Sequence, residues 1–173
     1  MSAKLTDTLC TRCGLCCDGT LFAEVELSGR AEATQLEAMG LEIDSDGALE
    51  SLPLPCAALK GTRCSVYAHR PHVCRTFECR LLKDVRAGDV TVDEALVSIT
   101  DTHKQLAHLR ALLAGMGQRA SKLPLRERIA EALAREPSSD AAKQARRDEL
   151  GMAMEAVEES IRGTFLGTPK DYR

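Results

Sequence analysis

Tryptophan is missing from this chain, and its 173 residues include only two tyrosines and three phenylalanines. Proteins that bind single-stranded nucleic acid stack bases on aromatic rings above a basic groove. With so few rings, a net charge of −3 and a pI near 5.8, this chain offers neither platform nor electrostatic footprint. Long apolar runs are also lacking. No window approaches the roughly 18 apolar residues of a membrane span, and the polar start from Met1 to Leu9 has no apolar stretch of a secretory signal. We therefore expect no nucleic-acid partner, no membrane and a cytoplasmic location. Familiar catalytic signatures are absent as well: there is no glycine-rich phosphate loop, no G-x-S-x-G elbow and no H-E-x-x-H helix. Asp44 and Asp46 start like a calcium loop, but the series stops there and reads as a turn.

Cysteine is lacking too from the last 94 residues. All eight lie between Cys10 and Cys79, four of them packed as Cys10-x2-Cys13-x2-Cys16-Cys17, with Cys56, Cys64, Cys74 and Cys79 following. An ordinary core needs no such bunching, whereas a metal centre needs soft donors close together. An even count in a small domain also permits disulfides, but a reducing cytoplasm favours ligands or redox thiols. Residues 1–88 thus read as a cysteine-rich metal-binding module, and its poverty in aromatics suits a fold that relies on metal.

Steps of three place Cys10, Cys13 and Cys16 like the C-x2-C-x2-C loop that wraps three irons of a cubane, with the fourth corner left to a distant thiolate such as Cys56 or Cys79. Cys17 departs from that pattern. Side chains of neighbouring residues point apart, so Cys16 and Cys17 are poorly placed to complete one small tetrahedron. Eight thiolates admit two centres of four, or one centre plus reactive or structural thiols. Four thiolates around Zn2+ or around a [4Fe-4S]2+ cubane leave a net −2, which nearby cations offset. Arg12, Lys60, Arg63, Arg70, Arg75 and Arg80 lie near the cysteines in sequence, and Arg70 and Arg75 are the better candidates because they sit on the proposed ligand helix. His69 and His72 could ligate, but eight thiols already fill two sites, so both read as surface or supporting residues. His103 and His108 read as packing or solvent residues. Tyr67 and Phe77 are expected to shield a centre from water.

Along the chain, a ligand loop spans Cys10 to Gly19, and Leu21 to Leu27 alternates like a strand. Ser28 is placed to cap a helix running to Met39, with Gly40 as its stop. Leu41 to Leu52 reads as a hairpin turning at Asp44-Ser45-Asp46-Gly47. Pro71 begins a helix that runs through Cys74 to about Gly88. Thr91 and Glu94 form a capping box, after which Val92, Leu96, Ile99, His103, Leu106, Leu109, Leu113 and Met116 trace one helical stripe. A shorter helix runs from Pro124 to Arg135 and ends at Pro137. After Ser138-Ser139 a charged helix runs from Asp140 to Arg162, closed by Gly163. The fold class is α+β: a small cysteine-rich, metal-centred module with irregular loops, followed over residues 89–173 by a mainly helical extension. That extension packs on the module, or else serves a partner through Leu150, Met154, Val157 and Ile161 and the charges about Arg146 and Arg147.

Cys-x2-Cys-x2-Cys-Cys, Pro55-Cys56, Cys64-x-Val66-Tyr67, Arg70-Pro71-x2-Cys74-Arg75 and Phe77-x-Cys79 together resemble the CxxCxxCC, or YkgJ-like, cysteine-cluster family of zinc- or iron-chelating proteins. The likeness covers about the first 80 residues. It implies an iron-sulfur or zinc centre held by Cys10, Cys13, Cys16, Cys17, Cys56, Cys64, Cys74 and Cys79. The chain also resembles the metal-binding part of flagellin lysine methylases, which are much longer. Three functions follow as expectations: a redox or cluster-carrying protein with an iron-sulfur cofactor, most simply [4Fe-4S], and an unidentified protein or redox partner; a Zn2+-stabilised interaction module; or a cluster-dependent enzyme.

Overall fold

Leu5 and Leu9 stand one turn apart on the first helix, and Cys10 and Cys13 share a face three residues apart. In the computed structural model, which describes residues 2–46, 49–118, 123–135 and 139–167, that helix, α1, spans Ser2–Cys13. The expected ligand loop is thus helical through its first two cysteines. Gly14 ends α1 with φ +70°, its N–H donating to the Cys10 carbonyl at 3.2 Å. A Cβ there would meet the Thr62 Cα at 3.1 Å.

The sheet is small. β1 (Glu24–Glu26), β2 (Asp44–Asp46) and β3 (Leu49–Pro53) form an antiparallel sheet in the order β1-β3-β2, with Val25 opposite Leu52 and Asp46 opposite Leu49. The hairpin is therefore present, but Asp44, Ser45 and Asp46 are strand rather than turn; Gly47 lies outside the described residues. α2 (Arg30–Glu37) starts later than expected, because Gly29, at φ +126°, takes the capping position and Ser28 gives no side-chain cap. Gly40 (φ +83°) lets the Leu41 N–H return to the Leu36 carbonyl and close the helix. β4 (Leu59–Lys60) and β5 (Arg63–Cys64) make a second, two-stranded hairpin.

The helix expected from Pro71 to Gly88 is broken in two. α3 (His72–Thr76) stops at Phe77, which adopts extended backbone, and α4 (Arg80–Ala87) restarts with Cys79 as its cap residue. Gly88, at φ +87°, ends it. α5 (Val92–Gly115) carries the capping box as read, the Thr91 Oγ1 accepting from the Glu94 N–H at 3.2 Å and the Glu94 carboxylate accepting from the Thr91 N–H at 2.8 Å. α6 (Leu125–Ala134) follows Pro124, and α7 (Ala141–Ile161) is capped by Asp140. Pro137 and Ser138 lie outside the described residues. α7 does not stop at Gly163. It winds on through a π-turn over Arg162–Leu166 that buries Phe165 and ends at Gly167.

Two apolar cores result. The larger joins Leu9, Leu15 and Leu21 with Leu81 and Leu82 of α4, Ile99, Leu106, Leu109 and Leu113 of α5, Ile129 of α6, and Leu150, Val157, Ile161 and Phe165. The smaller lies under the sheet: Val25, Leu27, Ala33, Leu36, Leu41, Leu52, Leu54, Cys56 and Ala58. The stripe of α5 thus buries within the chain, and so does the apolar edge of α7, where Leu150 is fully buried and Met154 packs against the larger core. Arg147 donates to the Leu133 and Arg135 carbonyls, and Arg146 to the Gly115 carbonyl at 3.4 Å, so these charges join the helices of the extension to one another. No helix among the described residues is long and apolar enough to cross a membrane.

Candidate metal centre

All eight cysteines are free thiols, and all eight line a single cavity of about 260 Å³. They fall into two groups within it, as packing and electrostatics both indicate. Cys13, Cys16 and Cys79 pack against the larger core; Cys56 belongs to the smaller core, against which Cys17, Cys64 and Cys74 pack. Cys10 is exposed as a residue, but desolvation of its sulfur pushes the thiol up to about 11, with the Cys79 sulfur adding to the rise. Burial pushes Cys13 to about 12, and Cys79 and Cys10 are again the sulfurs that contribute. Cys16 is lifted well above the usual thiol range by burial, then by Cys13 and Cys79, with its neighbour Cys17 and then Cys10 adding less. In the other group, burial takes Cys17 to about 12, with Cys74, Cys56 and Cys64 as its neighbours. Cys74, pushed to about 11 by burial, senses Cys56 and Cys64. The thiols therefore divide as Cys10, Cys13, Cys16, Cys79 and Cys17, Cys56, Cys64, Cys74.

Local backbone explains the division. Cys10 and Cys13 lie on one face of α1, and the turn after Gly14 brings Cys16 round beside them, with the Cys17 N–H returning to the Gly14 carbonyl at 2.9 Å. The break at Phe77 sends Cys79 to the start of α4, which packs on α1. Adjacent residues in a helical turn diverge by about 100°, so Cys17 faces the sheet. There its carbonyl accepts the Cys56 N–H at 2.8 Å, and the β4–β5 hairpin presents Cys64.

The donor set fits a thiolate-bound metal. Burial raises Cys79, while the N–H groups of Leu82, Cys79 and Leu81 point at its sulfur and oppose that rise. Burial also raises Cys56, opposed by the N–H groups of Ala58 and Leu59. The Leu15 N–H serves Cys13 in the same way. N–H groups aimed at sulfur stabilise the thiolate that a metal requires. As the side chains stand, no three His, Cys, Asp or Glu groups among the described residues are arranged to hold an ion.

Arg70 lies beside both groups. Its charge opposes the rise of Cys10 and of Cys74; its guanidinium lies 3.5 Å from the centroid of the Tyr67 ring, and its Nε donates to the Tyr67 carbonyl at 3.0 Å. Tyr67 in turn donates from its hydroxyl to Asp7 Oδ1 at 2.9 Å. Arg75 is exposed, and its charge acts on Glu32, whose carboxylate also accepts the His72 N–H at 2.7 Å. Phe77 meets Phe22 edge-on, with ring centroids 5.0 Å apart, and Phe22 touches both cores. His69 and His72 are exposed and line no part of the cavity, and His103 and His108 sit on α5, away from it. Sequence reasoning missed Arg86, which is paired with Glu78 and whose charge also reaches Cys10. Its position seven residues past Cys79 gave no signal until α4 folded back on α1.

With this geometry, the chain belongs to the CxxCxxCC family, described as a "putative zinc- or iron-chelating domain", which it matches over residues 9–102, more than half its length. The match supports metal binding through these cysteines. No curated protein and no solved structure matches the chain.

Proposed function

We propose that the chain holds an iron-sulfur centre, most simply [4Fe-4S], through Cys10, Cys13, Cys16 and Cys79, and that it works in the cytoplasm as a redox or cluster-carrying protein for an unidentified protein partner. The carrying observation is the cavity: all eight thiols surround about 260 Å³ of space. One four-coordinate ion draws its sulfurs into a small closed tetrahedron. A cubane holds its thiolates farther apart and occupies the room between them. When bound, the cluster supplies one-electron chemistry. The chain's own residues hold it, exclude water through Phe22 and Phe77, and offset its charge through Arg70. Protein purified without oxygen should be brown and bleach on reduction. Colourless protein carrying stoichiometric zinc, even after reconstitution with iron and sulfide, would overturn the iron assignment.

A zinc-stabilised reading is favoured by a separate observation. At Cys56 the N–H groups of Ala58 and Leu59 oppose the rise that burial causes, the Leu59 N–H also donating to the Cys56 carbonyl at 3.0 Å, beside the β4–β5 hairpin that carries Cys64. Such a turn is suited to a structural thiolate ion.

A further inference from the structure

We infer that Cys17, Cys56, Cys64 and Cys74 form a second centre, separate from the one that Cys10, Cys13, Cys16 and Cys79 hold and adjoining it at the Cys16–Cys17 peptide bond. The inference rests on the metal-binding reading above and deepens it.

Each group has its own apolar wall, since three of the first four thiols pack on the helical core and all of the second four belong to or pack on the core under the sheet. Each group also has its own scaffold. The first is held by α1, the Gly14 turn and the start of α4; the second by the Cys17 carbonyl to Cys56 N–H bond, the β4–β5 hairpin and α3. Each has one cysteine whose sulfur receives N–H groups from two and three residues onward, Cys79 from Leu81 and Leu82 and Cys56 from Ala58 and Leu59. Four thiolates are the full complement of either a zinc ion or an iron-sulfur cubane, so neither group needs to borrow from the other. The ligand of the second site is a thiophilic metal centre, zinc or iron-sulfur, and Arg70 beside both groups offsets part of both charges.

The test uses the full chain, reduced and metal-free without oxygen, titrated with cadmium and followed by its thiolate charge-transfer absorbance and by native mass spectrometry. Two sites predict saturation at two equivalents, with all eight thiols protected from alkylation. Saturation at one equivalent with four thiols left reactive would overturn the inference. Two variants sharpen it. Cys10/Cys13/Cys79→Ser and Cys56/Cys64/Cys74→Ser should each keep one equivalent, and in protein loaded in cells each should lose about half the metal. If a variant fails to fold, the wild-type stoichiometry still decides. Complete loss of cadmium binding in both variants, with their secondary structure intact, would show one shared cluster and sink the two-centre assignment. Iron, sulfide and zinc analysis of the native protein distinguishes the occupants. Two cadmium sites in a protein that takes only zinc would refute the iron-sulfur function while sustaining the two centres; a single cadmium site in a protein that takes one iron-sulfur centre and no zinc would do the reverse.

Discussion

At Arg70, one cation serves sulfurs from both groups while its own position is fixed by the Tyr67 ring and carbonyl. Removing it should be felt as a loss of charge compensation rather than of packing alone. For a reduced cluster, which gains negative charge, Arg70→Met should lower the midpoint potential by roughly tens of millivolts, since net charge near the cluster is one of its determinants. Arg75→Met, on an exposed side chain whose charge acts on Glu32, should leave the potential nearly unchanged. Protein-film voltammetry of the two variants separates a charge effect from a general disturbance. The thiols give a pH prediction. In the metal-free fold, burial raises Cys10, Cys13, Cys17 and Cys74 to about 11 or 12 from an ordinary value of 9.0. Unfolded thiols therefore ionise first. The stability that these neutral thiols contribute is fully present below pH 9 and is lost as pH climbs through the folded values. Thermal melts of reduced, metal-free protein should fall in midpoint between about pH 9 and about pH 12. Metal-loaded protein should show the opposite vulnerability, releasing metal on acidification as protons compete for thiolate.

Among the elements, α1 and its stop carry the strictest local demand. Gly14 sits at φ +70° with Thr62 pressed against the space where a side chain would go. Gly14→Ala should cost about 1–3 kcal/mol and reduce metal uptake, measured by denaturant melts and metal content, because strain at this turn moves Cys16 relative to Cys10 and Cys13. The same elements show how much was legible from the sequence. The capping box at Thr91 and the stripe of α5 were readable because helix signals are local and periodic. The pairing of Cys16 and Cys17 with different partners was foreshadowed by their adjacency. That Cys79, rather than Cys56, joins the first group was not readable, since it depends on the break at Phe77 and on α4 lying against α1. The start of α2 was misread for a related reason: a Ser before a helix is a good cap in isolation, but Gly29 supplies a backbone angle that Ser28 cannot. The continuation of α7 past Gly163 to bury Phe165 follows from packing, which no terminal glycine announces.

For the molecule as a whole, the larger core crosses from the cysteine-rich residues into the later helices: Leu9, Leu81 and Leu82 share it with Leu109, Leu150 and Phe165. Truncation at about residue 90 would strip α5 and α7 from that core. The shortened chain should precipitate or lose metal from Cys10, Cys13, Cys16 and Cys79, as read by light scattering and metal analysis; a monodisperse product with full metal content would show that the cysteine-rich segment stands alone. Phe165→Ala should destabilise the full chain by about 3–5 kcal/mol, in line with other large-to-small changes at fully buried aromatic positions.

Cys17, Cys56, Cys64 and Cys74 all fall between Cys16 and Cys79, so one of the two proposed sets of ligands is nested inside the other like an inner pair of brackets. Tying Cys16 to Cys79 directly would close a loop of more than sixty residues, whereas tying the inner set first folds that length into shorter loops. The inner bracket should therefore close first and shorten the search for the outer one. In a stopped-flow metal jump, thiols of the inner set should become protected from alkylation before Cys10 and Cys79 do, and mutation of the inner set should slow outer protection more than the reverse.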